Sequence, residues 1–325
     1  MFRQHLLKGV VLSASLFVVA QVMADEHWKP YPEGLYKPDL SGDNIVTLWP
    51  KLARATGDPL PEDPGLLDAW RSLFEGDFAT AKCKGLALGT ADGKYVAYRA
   101  QTLYALYMAP DPIKGKEEES ERTVLLKEAA DVLSAAVQLV KDDKKEPSPQ
   151  LVFWRTYAQG RYVQIMKPTW GLLTKKAKVQ ELLTQAGEVK VPPSIPALHA
   201  LYGGTYSAIY DDGLAARLSF RSYVRDCQGQ EMTGEYVRAS MLRFECAIVA
   251  LGDSPLPEVY NSYAHSLLEL DANANRDRAQ LYKQYATGVS IPPDVTNMVF
   301  SAEDALAREA AKSVNLKWQQ SAAGG

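Results

Sequence analysis

Residues 92–109, DGKYVAYRAQTLYALYMA, decide the fold of this chain. On a helix their large apolar side chains fall on two flanks: Tyr95, Tyr98 and Leu106 on one, Leu103, Tyr104 and Tyr107 on the other. This apolar surface is wider than the single stripe of an amphipathic surface helix. The helix therefore needs neighbours on both sides, as in an array of hairpins where each unit packs on the units before and after it.

Helix-start signals recur along the rest of the chain. A capping side chain precedes a proline at the first helical position in Asp63-Pro64, Ser148-Pro149 and Ser254-Pro255. Ser301 is followed by acidic residues in the first turn of another helix. Strand patterns are almost absent, and Gly- and Pro-rich breaks divide the chain into roughly ten to twelve helices. The sequence predicts an all-α protein of stacked antiparallel helical hairpins.

The segment before the helices is rich in proline. Its prolines are Pro30, Pro32, Pro38, Pro50, Pro59 and Pro61, and Pro64 follows. Proline removes a backbone donor and disfavours the helical region for the residue before it. We therefore expect residues 25–63 to form an extended arm that lies on a helical domain of residues 64–325. A short turn around Val46 to Trp49 is the one exception.

The first 24 residues have the pattern of a cleavable signal peptide. Arg3 and Lys8 make the start positive, residues 9–20 are apolar, and Ala24 ends a segment suited to signal peptidase. The apolar run is shorter than the roughly 20 residues that span a bilayer, and no later segment is long and apolar enough to do so. We expect export to the periplasm, with eukaryotic secretion as the alternative, and no membrane-spanning segment after cleavage.

The charge of the chain argues against nucleic acid as a partner. The formal net charge is −3, and loss of Arg3 and Lys8 with the signal lowers it by two, to −5. A nucleic-acid surface needs a basic face to meet phosphates. The hydrophobic content of 46% indicates a folded protein with a large core.

The three cysteines leave one thiol without an intrachain partner. Cys227 and Cys246 are close in sequence, and a disulfide between them would close a loop of ~20 residues; two free thiols are the alternative. We interpret Cys83 as a small apolar residue packed in a helix, in preference to a reactive thiol. The histidines after the signal lie far from these cysteines in sequence, so neither a zinc site nor a cofactor is expected.

Two stretches resemble the tetratricopeptide repeat. Residues 73–81, LFEGDFATA, resemble the turn and second-helix start of that repeat, and residues 209–216, IYDDGLAA, resemble it again. Ala81 and Ala216 are 135 residues apart, close to four times the roughly 34-residue period. Beyond the end of the first stretch, Gly85 stands where the motif has an aromatic residue. Among exported proteins, the chain is distantly similar to the periplasmic tetratricopeptide proteins associated with TRAP transporters.

Known catalytic signatures are missing from the sequence. It has no Gly-x-Ser-x-Gly elbow, no phosphate-binding glycine loop, no His-Glu-x-x-His and no calcium loop. Gly203 and Gly204 are better explained by close helix contact than by a phosphate cradle. We interpret His199 and His265 as structural. The sequence leans against an enzyme, but it leaves open a secreted helical hydrolase of the carbohydrate-active type, with its carboxylates in loops.

Two sets of side chains are candidate binding residues. Arg217, Arg221 and Arg225 are spaced by four, which on one helix would place three guanidiniums on one face, suited to carboxylate, phosphate or an acidic partner. A solvated or internally paired face is the alternative interpretation.

The second candidate set follows successive turns of an earlier helix. Trp154, Tyr157 and Arg161 would suit a concave groove, although core packing also explains the two aromatic residues. We expect an exported binding or scaffold module for a protein partner or a small anionic solute, with no cofactor. A deep, acid-lined cleft with an aromatic floor would favour the hydrolase instead.

Overall fold

The computed structural model describes residues 28–166, 172–188, 195–293, 295 and 297–323. The predicted signal peptide, residues 1–24, lies outside the described residues. Within the described ranges the chain is helical, and the β pairing there is one isolated bridge between Arg225 and Glu231. None of the helices in this part of the chain has the length and apolar character needed to cross a bilayer.

The described residues form thirteen α-helices. These are α1 (Asn44–Leu52), α2 (Pro64–Phe74), α3 (Phe78–Ala87), α4 (Ala91–Tyr107), α5 (Glu121–Asp142), α6 (Pro149–Met166), α7 (Leu172–Gly187), α8 (Pro196–Asp211), α9 (Leu214–Phe220), α10 (Tyr236–Leu251), α11 (Pro257–Asp271), α12 (Arg276–Thr287) and α13 (Ala302–Ala323). The prediction of an all-α helical array is confirmed.

The helices pack largely in sequence order. Each of α2 to α6 packs on the helix that follows or precedes it, and α11 and α12 form another hairpin. The helix α8 packs against both α10 and α11. The last helix, α13, packs on α11 and α12 and also contacts α2 and α4. The C-terminal helix therefore joins the end of the array to its beginning.

The predicted caps form at three of the four helix starts. The Asp63 carboxylate accepts from the Leu66 amide at 2.7 Å, and the Ser148 hydroxyl accepts from the Leu151 amide at 3.2 Å. Ser301 caps α13 by accepting from the amide of Asp304 at 3.2 Å. The prediction for Ser254-Pro255 is wrong by two residues, because a second proline, Pro257, takes the first helical position of α11.

Burial around α4 explains how the first hairpins approach so closely. Most of this helix is buried, including Val96, Ala97 and Leu103. A side chain added at Gly85 of α3 would place its Cβ 2.5 Å from the carbonyl oxygen of Gly93 in α4. The backbones of α3 and α4 are therefore in contact at Gly85, and a larger residue does not fit at this position.

In the segment of residues 28–63, the short turn expected around Val46 to Trp49 is part of a longer helix. This helix is α1, in which Ile45, Trp49 and Leu52 are buried. Their spacing places them on one face of the helix, and the Trp49 ring packs edge-on against Trp70 with ring centroids 5.5 Å apart. The proline content of the segment did not prevent helix formation. Pro50 itself lies inside α1, a helix of nine residues whose apolar face is buried in the core.

The structure pairs Cys227 with Cys246 in a disulfide. Cys246 lies in α10, whereas Cys227 lies in the loop between α9 and α10, so the bond fastens this loop to the helix that follows it. Cys83 is a free cysteine and is exposed on α3, so the prediction that it packs as an apolar residue is wrong. Its neighbours Ala81 and Lys82 take the buried positions of that helix.

We expect loss of this disulfide to destabilise the protein. Replacing both Cys227→Ser and Cys246→Ser frees a loop of ~20 residues in the unfolded chain and should lower the free energy of unfolding by roughly 3 kcal/mol, measured by urea denaturation. Reduction of the wild type should give the same loss. The control Cys83→Ser should unfold like wild type, and a double variant as stable as wild type would contradict the prediction.

Candidate functional site

The centre of the molecule is organised around Arg99 of α4, which is 0% exposed. Its Nη1 donates to Asp58 at 3.0 Å and its Nη2 donates to Glu303 at 3.1 Å. The guanidinium also lies over the rings of Trp70 and Trp154, 4.9 and 4.6 Å from their centroids. This one side chain therefore links the N-terminal segment, α4, α6 and α13.

The Asp58 carboxylate is shared by several donors. The Tyr95 hydroxyl donates to it at 2.6 Å, and the Thr56 hydroxyl is a third donor beside Arg99. Burial and the neighbouring Asp58 raise the pKa of Tyr95 well above its ordinary value. Burial alone would lower the pKa of Arg99, but Glu303, Tyr95 and Asp58 outweigh burial and raise it. Arg99, Asp58, Tyr95 and Glu303 therefore form one buried hydrogen-bonded network.

A second ion pair holds the start of α13. Arg54 donates to the Asp304 carboxylate at 2.9 Å, and it also donates to the backbone oxygen of Ser254 at 2.7 Å. The other oxygen of Asp304 accepts from the amides of Phe300 and Ser301, each at 3.0 Å. Arg54 thus joins the N-terminal segment to the turn before α11 and to the first turn of α13.

Beside this network a cleft opens between α6, α7, α8, α11 and α13, with a cavity volume of about 230 Å³. One wall is aromatic and comes from Phe153, Trp154 and Tyr157 of α6. These three rings contact one another, with the centroids of Trp154 and Tyr157 5.1 Å apart. The aromatic wall is part of the core and of the cleft at the same time.

Small residues of α8 line another side of the cleft. They are Ala197, Ala200, Gly204 and Ala208. Spacing of three and four residues places them on one face of the helix. A Cβ built at Gly204 meets no atom within 4 Å. Leu201, Thr205 and Ile209 of α8 also line the cleft, and the row of small residues beside them leaves the space around Gly204 open.

The neighbouring glycine has the opposite environment. A Cβ at Gly203 would lie 2.6 Å from the ring of Phe244 in α10. Gly203 therefore allows close contact between α8 and α10, as the sequence predicted, whereas Gly204 lies on the cleft.

The cleft has a polar end at Arg161 and Glu258, which form an ion pair at 2.6 Å. The Tyr157 hydroxyl donates to Glu258 and accepts from Arg161, the latter at 2.9 Å. The side chains of Arg161 and Glu258 are 29% and 27% exposed, so this pair is open to the cleft. Glu303, 14% exposed, lines the same cleft.

Glu303 has a perturbed acidity. Burial raises the pKa of Glu303, Arg99 opposes that effect, and the nearby carboxylates of Asp304 and Glu258 raise the pKa further. Burial also raises the pKa of Tyr157, and Glu258 adds to that effect while Arg161 opposes it. The polar end therefore holds two carboxylates, each paired with a guanidinium, and Glu303 is more readily protonated than an ordinary glutamate.

The other end of the cleft is lined by Asp212, His265 and Glu269. Glu269 accepts from the Ser207 hydroxyl at 2.7 Å. Glu258 and Glu269 are eleven residues apart on α11, which corresponds to about 16 Å of helix. The cleft therefore runs along α11 with carboxylates at both ends.

The candidate set on α6 lies on the cleft. Trp154, Tyr157 and Arg161 are all among the residues that line it. Trp154 and Tyr157 are also members of the main hydrophobic core. The groove interpretation and the core interpretation of these two aromatic residues therefore both describe the structure.

The three arginines predicted to share one helix face do not do so. The helix α9 ends at Phe220, Arg221 begins a 3-10 turn, and Arg225 lies beyond it in the bridge to Glu231. The chain leaves the helix because the Arg225 amide donates to the hydroxyl of Tyr206 at 3.0 Å instead of to a helical carbonyl. This prediction is corrected.

The guanidiniums of this set are separated from the cleft. Arg217 lies over the ring of Tyr210, 4.7 Å from its centroid, and Arg225 donates to the backbone oxygen of Val224 at 3.1 Å. Arg221 is exposed. None of them is among the described residues that line the cleft.

Sequence reasoning missed the carboxylates Glu258 and Glu303. Each lies in the first turn of a helix, where an acidic residue is expected simply because it stabilises the helix N-terminus. The small residues of α8 are spaced by three and four positions in the sequence, and this spacing could have indicated that they share one face of a helix. The described residues hold no group of three or more His, Cys, Asp or Glu side chains arranged for a metal.

Comparison of the chain with known proteins gives no relative. No protein-family model, no curated protein and no solved structure matches it.

We expect Arg99→Met to lower the free energy of unfolding by about 3–5 kcal/mol, because it leaves Asp58 and Glu303 without their shared cation. Urea denaturation followed by tryptophan fluorescence would measure it. The control is Arg238→Met, which removes an arginine from an exposed ion pair with Glu235 and should change stability little. Equal stability of the two variants would show that the buried network does not hold the fold together.

Proposed function

We propose that the protein is an exported binding module that holds a small solute in the cleft along α11. The observation that carries this proposal is a cleft lined both by the aromatic residues of α6 and by the small residues of α8, with open space around Gly204. Helical cores are normally filled to high density, so an opening with ordered rings on one side is unusual for a purely structural helix pair. Small-molecule sites are concave and mostly apolar, with a few polar groups that orient the ligand.

The polar groups of the cleft fit this function. Arg161, Tyr157 and Glu258 hold one another in place at one end, and Glu269 is held by Ser207 at the other. Side chains that are already positioned lose little conformational entropy when a ligand binds. A protein partner is the second occupant that the sequence suggested, and the volume of the cleft, about 230 Å³, favours the small solute over it.

The sequence pattern of residues 1–24 supports the proposed export and a periplasmic location. The hairpin packing of the helices is compatible with a helical repeat, which supports the proposed resemblance to tetratricopeptide proteins, including those associated with TRAP transporters. A periplasmic helical-repeat protein with an internal cleft would suit solute capture. We propose no covalent chemistry and no cofactor for this function.

A hydrolase is the second candidate, because one observation favours it. Burial raises the pKa of Glu303, while Glu258 on the same cleft is paired with Arg161. A protonated and an ionised carboxyl across a cleft are the groups that glycoside hydrolysis uses. Both carboxylates are in ion pairs, with Arg99 and Arg161, and this engagement makes us favour binding. Hydrolysis of oligosaccharide substrates by the wild type, abolished in Glu303→Gln, would establish the enzyme instead.

We expect Gly204→Leu to weaken solute binding by at least about tenfold, or ~1.4 kcal/mol, because its side chain would occupy the cleft. The probe is N-phenyl-1-naphthylamine, a neutral apolar fluorophore whose emission rises when it enters an apolar site. Circular dichroism should show an unchanged fold, since the position has open space around its Cβ.

The matched control for this experiment is Gly187→Leu. Gly187 ends α7, is exposed, has no atom near its built Cβ and does not line the cleft. This variant should bind the probe like wild type. A wild type that does not bind the probe, or a Gly204→Leu variant that binds it equally well, would remove the cleft as the solute site.

A further inference from the structure

The charges that line the cleft are strongly unequal. Five carboxylates line it, and they are Asp212, Glu258, Glu269, Glu303 and Asp304. Among the described residues, one guanidinium, that of Arg161, lines it, and no lysine does. A cleft walled by one sign of charge and by apolar side chains concentrates solutes of the opposite sign.

In the ion pairs at the polar end of the cleft, the carboxylates outnumber the guanidiniums by one. Arg54 pairs with Asp304, and Arg161 pairs with Glu258. Arg99 is divided between Asp58 and Glu303. Four carboxylates therefore meet three guanidiniums. Of the two that share Arg99, Asp58 is almost fully buried, whereas Glu303 reaches the cleft.

Another cation near this network, Arg308, lies outside the lining of the cleft. Arg308 lies one turn after Asp304 on α13, and its guanidinium carbon is 3.0 Å from a Cβ built at Gly288, which ends α12. The charge of Arg308 acts on Asp304 and Glu309, whereas the cation that acts on Glu303 is Arg99.

The same geometry disfavours an anionic solute at Arg161. This guanidinium is held by Glu258 at 2.6 Å and by the Tyr157 hydroxyl at 2.9 Å. An anion bound there would lie beside Glu258 and in the field of Glu303, so like-charge repulsion would oppose it. The rings of Trp154 and Tyr157 already carry Arg99 and Arg161 over their faces, so the aromatic wall offers the solute apolar surface.

We infer that the solute carries a cationic head, an ammonium or a guanidinium, that binds beside Glu303 and Glu258, with an apolar body along the aromatic wall of α6. This inference rests on the proposed solute binding and names the chemical class of the solute. It replaces the anionic solute that the arginine spacing suggested, because the arginines of that set are not on the cleft.

The test compares three ligands with the same eight-carbon body and different heads: octylamine, octan-1-ol and sodium octanoate. Each is titrated against wild-type protein loaded with N-phenyl-1-naphthylamine at pH 8, and displacement of the fluorophore is measured. Octylammonium should displace it at a concentration at least tenfold below that of the alcohol and of the carboxylate. This comparison uses only the wild type, so it does not depend on the folding of a variant.

Three variants locate the head. Glu303→Gln keeps an acceptor for Arg99, removes one negative charge and should reduce the preference for the amine over the alcohol to within about threefold. Glu309→Gln removes the same charge from α13 at an exposed pair with Lys312, outside the cleft, and should retain the full preference. Glu269→Gln, at the other end of the cleft, should also retain it.

The outcomes separate the two proposals. Displacement by all three ligands at similar concentrations, or best by octanoate, would overturn the cationic head and leave solute binding in place. Loss of the preference in Glu269→Gln but not in Glu303→Gln would overturn its placement at Glu303. A wild type that binds neither the fluorophore nor any of the ligands would contradict the proposed function itself.

Discussion

The fold depends on one buried guanidinium that must be paired. Arg99 is excluded from water, and an unpaired charge in that position would cost several kcal/mol. Its partners come from Asp58, which precedes the hairpins, and from Glu303, which opens the last helix. Pairing therefore brings the two ends of the array together at α4. Phe300 and Leu306 also enter the main core, so ion pairs and apolar packing together hold the last helix against the first hairpins.

The cleft is a consequence of that closure. Bringing α13 to α4 places Glu303 next to Glu258 and Arg161, so that charges from three separate helices meet at one end of the cleft. The aromatic residues of α6 cannot collapse into the space because they are held in the core by neighbouring rings and by Arg99. The row of alanine and glycine residues on α8 leaves the part of the cleft around Gly204 open. Stability and the proposed binding function therefore use the same side chains.

The confirmed predictions depend on residues that are close in sequence, and the incorrect ones depend on contacts between residues that are far apart in sequence. The caps at Asp63, Ser148 and Ser301 and the wide apolar surface of α4 were predictable, because they depend on residues a few positions apart. The arginine face failed because Arg225 bonds to Tyr206, nineteen residues away. The N-terminal segment was expected to be extended because local proline content hid the fact that α1 packs on α2.

By itself the sequence determined the helical class, the helix starts at Asp63, Ser148 and Ser301, the need for helices on both sides of residues 92–109, and the position of Trp154, Tyr157 and Arg161 on successive turns of one helix. These follow from periodicity and capping, which are local. Only the tertiary structure decided that Glu303 and Glu258 share a cleft, and that Arg99 serves two carboxylates. These contacts join residues far apart in the chain, and local pattern carries no information on how distant charges are paired.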